Sequence, residues 1–273
     1  MNSASIIDAA QLASRLARPG TLLVDVRSAD AWRASTLPGA VHLDAYSVFI
    51  DRSDDEGIQH LVAAAAQALA EIGAFSATQT IYFETATGMV SPRALWFHEL
   101  LGLPNGRILD GGIDAWHAIA GELAPGAGAS STIALERRAV APAAWRAESI
   151  ASYDEVTAAD GVETVVVDVR RFSEYQGEFV HPCCARGGRI PGSVHLFWED
   201  VLQGGSYRSP SEILARATEA GLDPRQTLIL YCHRGARAAT VFYALRMAGF
   251  SKLKVFVGSW HEWAERASGV DPR

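Results

Sequence analysis

Within the six residues Cys232-His233-Arg234-Gly235-Ala236-Arg237 stand one thiol and two guanidinium groups. A cysteine attacks as its thiolate, and cations beside it favour the thiolate at neutral pH. The same charges attract an anionic substrate. The other common role of a free cysteine is that of a small buried hydrophobe, but an apolar pocket would not recruit two arginines. Cys232 is therefore the candidate nucleophile. His233, Arg234, Gly235, Ala236 and Arg237 are the candidate substrate-binding residues around it.

The flanking residues say how such a group is positioned. Thr227 to Tyr231 is an apolar or β-prone run without polar alternation, the pattern of a parallel strand buried on both faces. Beyond the cysteine, apolar residues recur at Ala239, Phe242, Tyr243, Leu245 and Met247 near the helical period, and Gly249 ends the run. Cys232 thus lies in a strand-to-helix loop. There the free N–H groups of the first helical turn and the helix dipole favour an anion.

The remainder of the chain reads as one unit written twice. LLVDVR, LPGAVHL and ILDGGIDAWHAI in the first half answer VVVDVR, IPGSVHL and KVFVGSWHEWAE in the second. Each unit alternates short β-rich runs with helical patterns, which predicts two α/β domains, each a mainly parallel sheet flanked by helices. The domains are placed at 1–125 and 148–273. The stretch from Gly121 to Ala147 contains APGAGASS and APAA, and residues 126–147 within it read as a linker.

The duplication is an internal control, because a feature shared by both copies is expected to hold the fold. Asp25 and Arg27 match Asp168 and Arg170, and His42 matches His195, so these lean structural. Cys232 faces Thr85, Arg234 faces Thr87 and Arg237 faces Val90. The first domain is expected to be catalytically inactive. The second copy also carries ten extra residues in a loop around Gly177 to Gly188, which holds Cys183, Cys184 and Arg186. Loops lengthened in an active copy are where substrate contacts are expected. Cys183 and Cys184 read as an exposed incidental pair, with a resolving thiol for Cys232 or a metal pair with His181 as alternatives. Their spacing lacks the x-x of common zinc sites, so no metal is expected.

At 273 residues, with 49% hydrophobic and 20% charged positions, the chain describes two folded globular domains. Residues 1–130 carry 7 Arg against 14 Asp and Glu, whereas residues 131–273 balance 17 Lys and Arg against 17 Asp and Glu. A net charge of −7 argues against a nucleic-acid partner, and the second half is the better host for a small anion. No apolar run approaches a membrane span, and the start lacks the pattern of a leader. Three cysteines do not make a disulfide framework. The expectation is a cytoplasmic protein with reduced thiols, no membrane partner and no cofactor.

On these residues the chain resembles the rhodanese family, specifically the tandem-domain thiosulfate and mercaptopyruvate sulfurtransferases. The resemblance rests on Asp168-x-Arg170, the stretch Arg189-Ile190-Pro191-Gly192-Ser193-Val194, Cys232-x-x-Gly235, and Gly258-Ser259-Trp260-His261-Glu262-Trp263. It implies an inactive N-terminal domain, an active C-terminal one and a persulfide intermediate on Cys232. Sulfur would pass from thiosulfate, a small anionic donor, to cyanide or to a low-molecular-weight or protein thiol. Thiosulfate enzymes of this kind carry a basic residue two after the cysteine, as Arg234 is, whereas mercaptopyruvate enzymes carry the neutral loop Cys-Gly-Ser-Gly-Val. The Arg237 position resembles single rhodanese modules. The chain departs from the family where the substrate arginine after Asp-x-Arg is replaced by Glu174, and the long-loop arginine is matched only loosely, by Arg186.

Three alternatives stand beside thiosulfate sulfur transfer. One is a 3-mercaptopyruvate sulfurtransferase and another a non-enzymatic persulfide carrier. The third, a cysteine phosphatase, needs Cys-x5-Arg, whereas the sixth residue after Cys232 is Ala238 and Arg237 comes one too early.

Overall fold

Aliphatic runs bounded by turn residues become the central strands of both sheets. The computed structural model describes residues 5–16, 18–135, 142 and 144–267. The first domain runs β1 (Ile6–Ile7), α1 (Ala9–Ala13), β2 (Thr21–Asp25), α2 (Ala29–Ala34), β3 (Val41–Asp44), α3 (Asp55–Glu71), β4 (Gln79–Phe83), α4 (Val90–Leu100), β5 (Gly106–Leu109), α5 (Gly112–Ala118) and β6 (Ser130–Thr132). The second runs β7 (Ile150–Ala151), α6 (Tyr153–Thr157), β8 (Thr164–Asp168), α7 (Phe172–Gln176), β9 (Val194–His195), β10 (Leu202–Gln203), β11 (Ser206–Tyr207), α8 (Pro210–Glu219), β12 (Thr227–Tyr231), α9 (Ala236–Met247), β13 (Leu253–Phe256) and α10 (Ser259–Arg266).

Both large sheets are parallel, with orders β1-β5-β4-β2-β3-β6 and β7-β13-β12-β8-β9; β10 and β11 form a small antiparallel pair. The two orders share the core β5-β4-β2-β3 and β13-β12-β8-β9, as the duplication predicts. β4 is buried along its length and β12 at four of its five residues, because helices cover both faces of a parallel sheet. One difference concerns the segment read as linker: Ser130–Thr132 within it pairs with β3 and extends the first sheet. Residues 136–141 and 143 of that segment lie outside the described residues. Among the described residues no helix is long and apolar enough to cross a membrane.

The shared motifs do the same structural work twice. Arg27 and Arg170 each pair with the Asp two residues earlier at 2.6 Å, and His42 and His195 each donate from Nε2 to the carbonyl of that arginine at 2.8 Å. These contacts tie the end of β2 to β3 and the end of β8 to β9.

The domains meet through α4 and α9, and one apolar cluster runs through both. Equivalent positions face each other across a pseudo-twofold relation. Glu99 and Arg246, 147 residues apart like the matched glycines of the two loops, form an ion pair at 2.7 Å. Thr240 of α9 donates to the carbonyl of Gly88, while Arg93, its counterpart in α4, donates to the carbonyl of Arg234.

Candidate active site

β12 ends at Tyr231, and the chain turns through Cys232, His233, Arg234 and Gly235 into α9. Gly235 has φ +87°, a left-handed conformation that glycine adopts without a Cβ penalty. That turn aims the Gly235 N–H back at the cysteine, and it donates to Cys232 Sγ at 3.0 Å. The sulfur is thus held by a backbone amide at the start of α9, where the helix dipole also favours negative charge.

A second element clamps the loop from below. The Cys232 carbonyl accepts from Trp260 N–H at 3.0 Å, and that of His233 from His261 N–H at 3.1 Å. Ser259 Oγ accepts from Cys232 N–H at 3.3 Å while donating to the carbonyl of Phe256 at 2.8 Å. The Gly-Ser-Trp-His-Glu-Trp stretch is therefore the seat of the cysteine loop. Gly258 admits no side chain, since a Cβ there would lie 1.9 Å from Glu262 Oε2.

Cys232 is 2% exposed and opens onto a cavity of about 570 Å³. Arginines dominate its charge: Arg93, Arg171, Arg234 and Arg237 line it, against the single carboxylate of Glu174. Phe49, Phe179 and Trp198 supply apolar wall. The positive charge of such a cavity favours a small anion.

The predicted residues divide in the structure. Cys232, His233, Arg234, Ala236 and Arg237 all line the cavity, and Gly235 acts through its N–H. Arg237 is held by a bidentate ion pair with Glu174, Nη1 to Oε2 at 2.6 Å and Nη2 to Oε1 at 3.0 Å. Burial would raise the Glu174 carboxyl, yet Arg237 and the His181 ring at 2.9 Å hold it down at about 2. Arg234 stacks its guanidinium 3.6 Å above the Phe49 ring. Arg186 lies outside the cavity lining, with its guanidinium 5.8 Å over the Trp260 ring. His233 stacks on His181 at 3.7 Å, and burial, together with His181 and Arg234, lowers its ring to about 3. It is neutral at physiological pH and adds no charge to the cavity.

Two arginines of the cavity escaped the sequence reading. Arg93 reaches in from the first domain: Nη1 donates to the Arg234 carbonyl at 2.7 Å and Nη2 to the carbonyl of Val48. Burial lowers Arg93 to about 10, so it stays cationic. Arg171, next to the Asp-x-Arg motif, was passed over because that motif is shared and structural.

The first domain shows what became of the second copy's cradle. Glu84 Oε1 accepts from the N–H groups of Gly88, Val90 and Ser91 at 3.2, 3.1 and 2.8 Å. The chain's own carboxylate fills the amide cradle, and Thr85 takes the place of Cys232.

The model for the rhodanese-like domain matches residues 8–119 and again 152–266. The chain belongs to the rhodanese-like family. Its relatives place this tandem rhodanese among the sulfurtransferases. The thiosulfate sulfurtransferase of Corynebacterium glutamicum is 30% identical over 274 residues, covering 94% of this chain and 87% of its own. The 3-mercaptopyruvate sulfurtransferase of Escherichia coli is 26% identical over 270 residues, covering 96% and 89%. Among solved structures, a probable thiosulfate sulfurtransferase superposes with a TM-score of 0.71 at 28% identity, covering 93% of this chain and 98% of its own. EanB shares the fold at a TM-score of 0.78 and 19% identity, with this chain spanning 68% of its length.

Proposed function

We propose that the protein is a thiosulfate sulfurtransferase working through a persulfide on Cys232. The observation that carries this reading is Cys232 Sγ, held 3.0 Å from the Gly235 N–H at the floor of an arginine-lined cavity. The thiolate attacks the outer sulfur of thiosulfate. The S–S bond breaks, sulfite leaves with the electron pair, and Cys232 carries the transferred sulfur as a persulfide. Cyanide or a thiolate then attacks the terminal sulfur, forming thiocyanate or a new persulfide, and the Cys232 thiolate returns. The Gly235 amide and the dipole of α9 stabilise negative charge on sulfur throughout. Attack by the thiolate form needs no general base.

Arg234 and Arg171 are the donor-binding groups in this reading, and Arg237, tied to Glu174, braces the start of α9. 3-Mercaptopyruvate, also an anion, is the competing donor, and the relative from Escherichia coli supports it. Steady-state turnover with each donor, cyanide being the acceptor, separates the two. Thiosulfate is expected to give the higher kcat/KM; a higher value with 3-mercaptopyruvate overturns the donor assignment.

A further inference from the structure

The long loop of the second domain delivers two thiols to two histidines beside the Cys232 loop. One ligand atom from each of Cys183, Cys184, His233 and His261 lies within 4.8 Å of every other. Cys183 Sγ stands 3.4 Å from His233 Nε2. A thiolate and an imidazole nitrogen on a tetrahedral zinc, with bonds of about 2.3 and 2.0 Å, are about 3.5 Å apart.

The surroundings are those of a ligand set. His261 Nε2 faces Asp51 Oδ1 at 2.9 Å, and its Nδ1 is buried without a hydrogen-bond partner. A carboxylate on one imidazole nitrogen fixes the ring and leaves the other for a metal, the usual outer-shell arrangement. Arg234 Nη2 lies 3.4 Å from Cys183 Sγ, a contact that suits a thiolate.

We propose that Cys183, Cys184, His233 and His261 form a zinc(II) site of two thiolates and two imidazoles. Thiolates and imidazoles favour a borderline or soft cation over oxygen-seeking ions, and a tetrahedral S2N2 set is a zinc pattern. Binding forms two Zn–S and two Zn–N bonds and releases one proton from each thiol. No four-ligand motif is legible in the sequence because the histidines come from two other elements, the β12–α9 loop and α10. His233 also lines the Cys232 cavity, so the cation borders the chemistry without needing Cys232 as a ligand.

The test is titration of the Cys232→Ser protein, from which the third thiol is gone, with cobalt(II) and then zinc(II). One equivalent of cobalt is expected to give thiolate charge-transfer absorption and tetrahedral d–d bands, which zinc abolishes stoichiometrically. Cys183→Ser or Cys184→Ser in that background should cut the charge-transfer intensity by about half, and Asp51→Ala should weaken zinc binding by about ten- to a hundredfold. Cys183 is exposed, so Cys183→Ser opens no cavity in the core. Absence of a 1:1 complex, or a complex whose spectrum and affinity survive loss of both Cys183 and Cys184, overturns the site.

Discussion

Arg93 Nη1, on α4 of the first domain, donates to the carbonyl oxygen of Arg234 in the second domain at 2.7 Å. The first domain, with Thr85 at the place of Cys232, therefore shapes the cysteine loop of the second. We predict that Arg93→Met, which keeps the apolar stem and removes the charge, frees the Arg234 carbonyl. Hydrogen bonds to charged groups contribute about 1.5–3 kcal/mol, so sulfur uptake from thiosulfate should slow by at least about tenfold. Stopped-flow or quench measurement of sulfite release checks this. A wild-type rate would make the interdomain contact irrelevant to the site.

Arg234 and Arg237 stand in different surroundings and should fail differently. Arg234 lines the cavity, stacked on Phe49 and facing Cys183 Sγ, so we predict that Arg234→Ala weakens donor use by about ten- to a hundredfold, with less effect on acceptor attack. Arg237→Ala takes the guanidinium partner from the buried Glu174 carboxylate, leaving it the His181 ring, and should impair both half-reactions together with stability. Separate timing of the two half-reactions on each variant decides the matter, and equal damage to both from Arg234→Ala with a harmless Arg237→Ala would reverse the roles.

The Glu174 pair also has a pH signature. Its carboxyl is lowered to about 2 in the fold, from an ordinary value near 4.5. The stability it contributes is thus complete above about pH 4.5 and disappears as pH falls toward 2, amounting to about 3 kcal/mol. The stability gap between wild type and Glu174→Gln, measured by urea unfolding, should be largest near neutrality and shrink between pH 4.5 and 3. A gap that stays constant down to pH 3 would contradict the pairing.

Gly235 offers a test of backbone geometry. A Cβ there would find room, its nearest neighbour being Val257 O at 3.6 Å, so the cost of Gly235→Ala arises from φ +87°. We predict a loss of about 1–2 kcal/mol in stability and a misdirected N–H at Cys232. Thermal unfolding with the rate of thiol alkylation reads both; unchanged values would place the amide outside the function.

Much of this was legible because the chain repeats itself. The strands around Asp25 and Asp168, the cysteine loop and the place of Thr85 opposite Cys232 follow from residue types at matched spacings. Arg93 was not, because its target lies 141 residues later and the contact exists only through the pseudo-twofold packing of α4 on α9. Glu174 was noticed as a substitution for an arginine, but its pairing with Arg237 needs α7 to face the loop. Glu84, which matches Tyr231, fills the first cradle through side-chain reach that spacing does not encode. The edge strand Ser130–Thr132 is short, polar and unpatterned, so only its pairing with β3 reveals it.

The most direct measurement is the intact mass of the protein after thiosulfate and again after cyanide, for wild type, Cys232→Ser and Cys183→Ser/Cys184→Ser. Wild type and the double variant should gain the mass of one sulfur atom and lose it to cyanide, while Cys232→Ser should gain none. Sulfur retained on Cys232→Ser, or lost only from the double variant, would show that another thiol is the carrier.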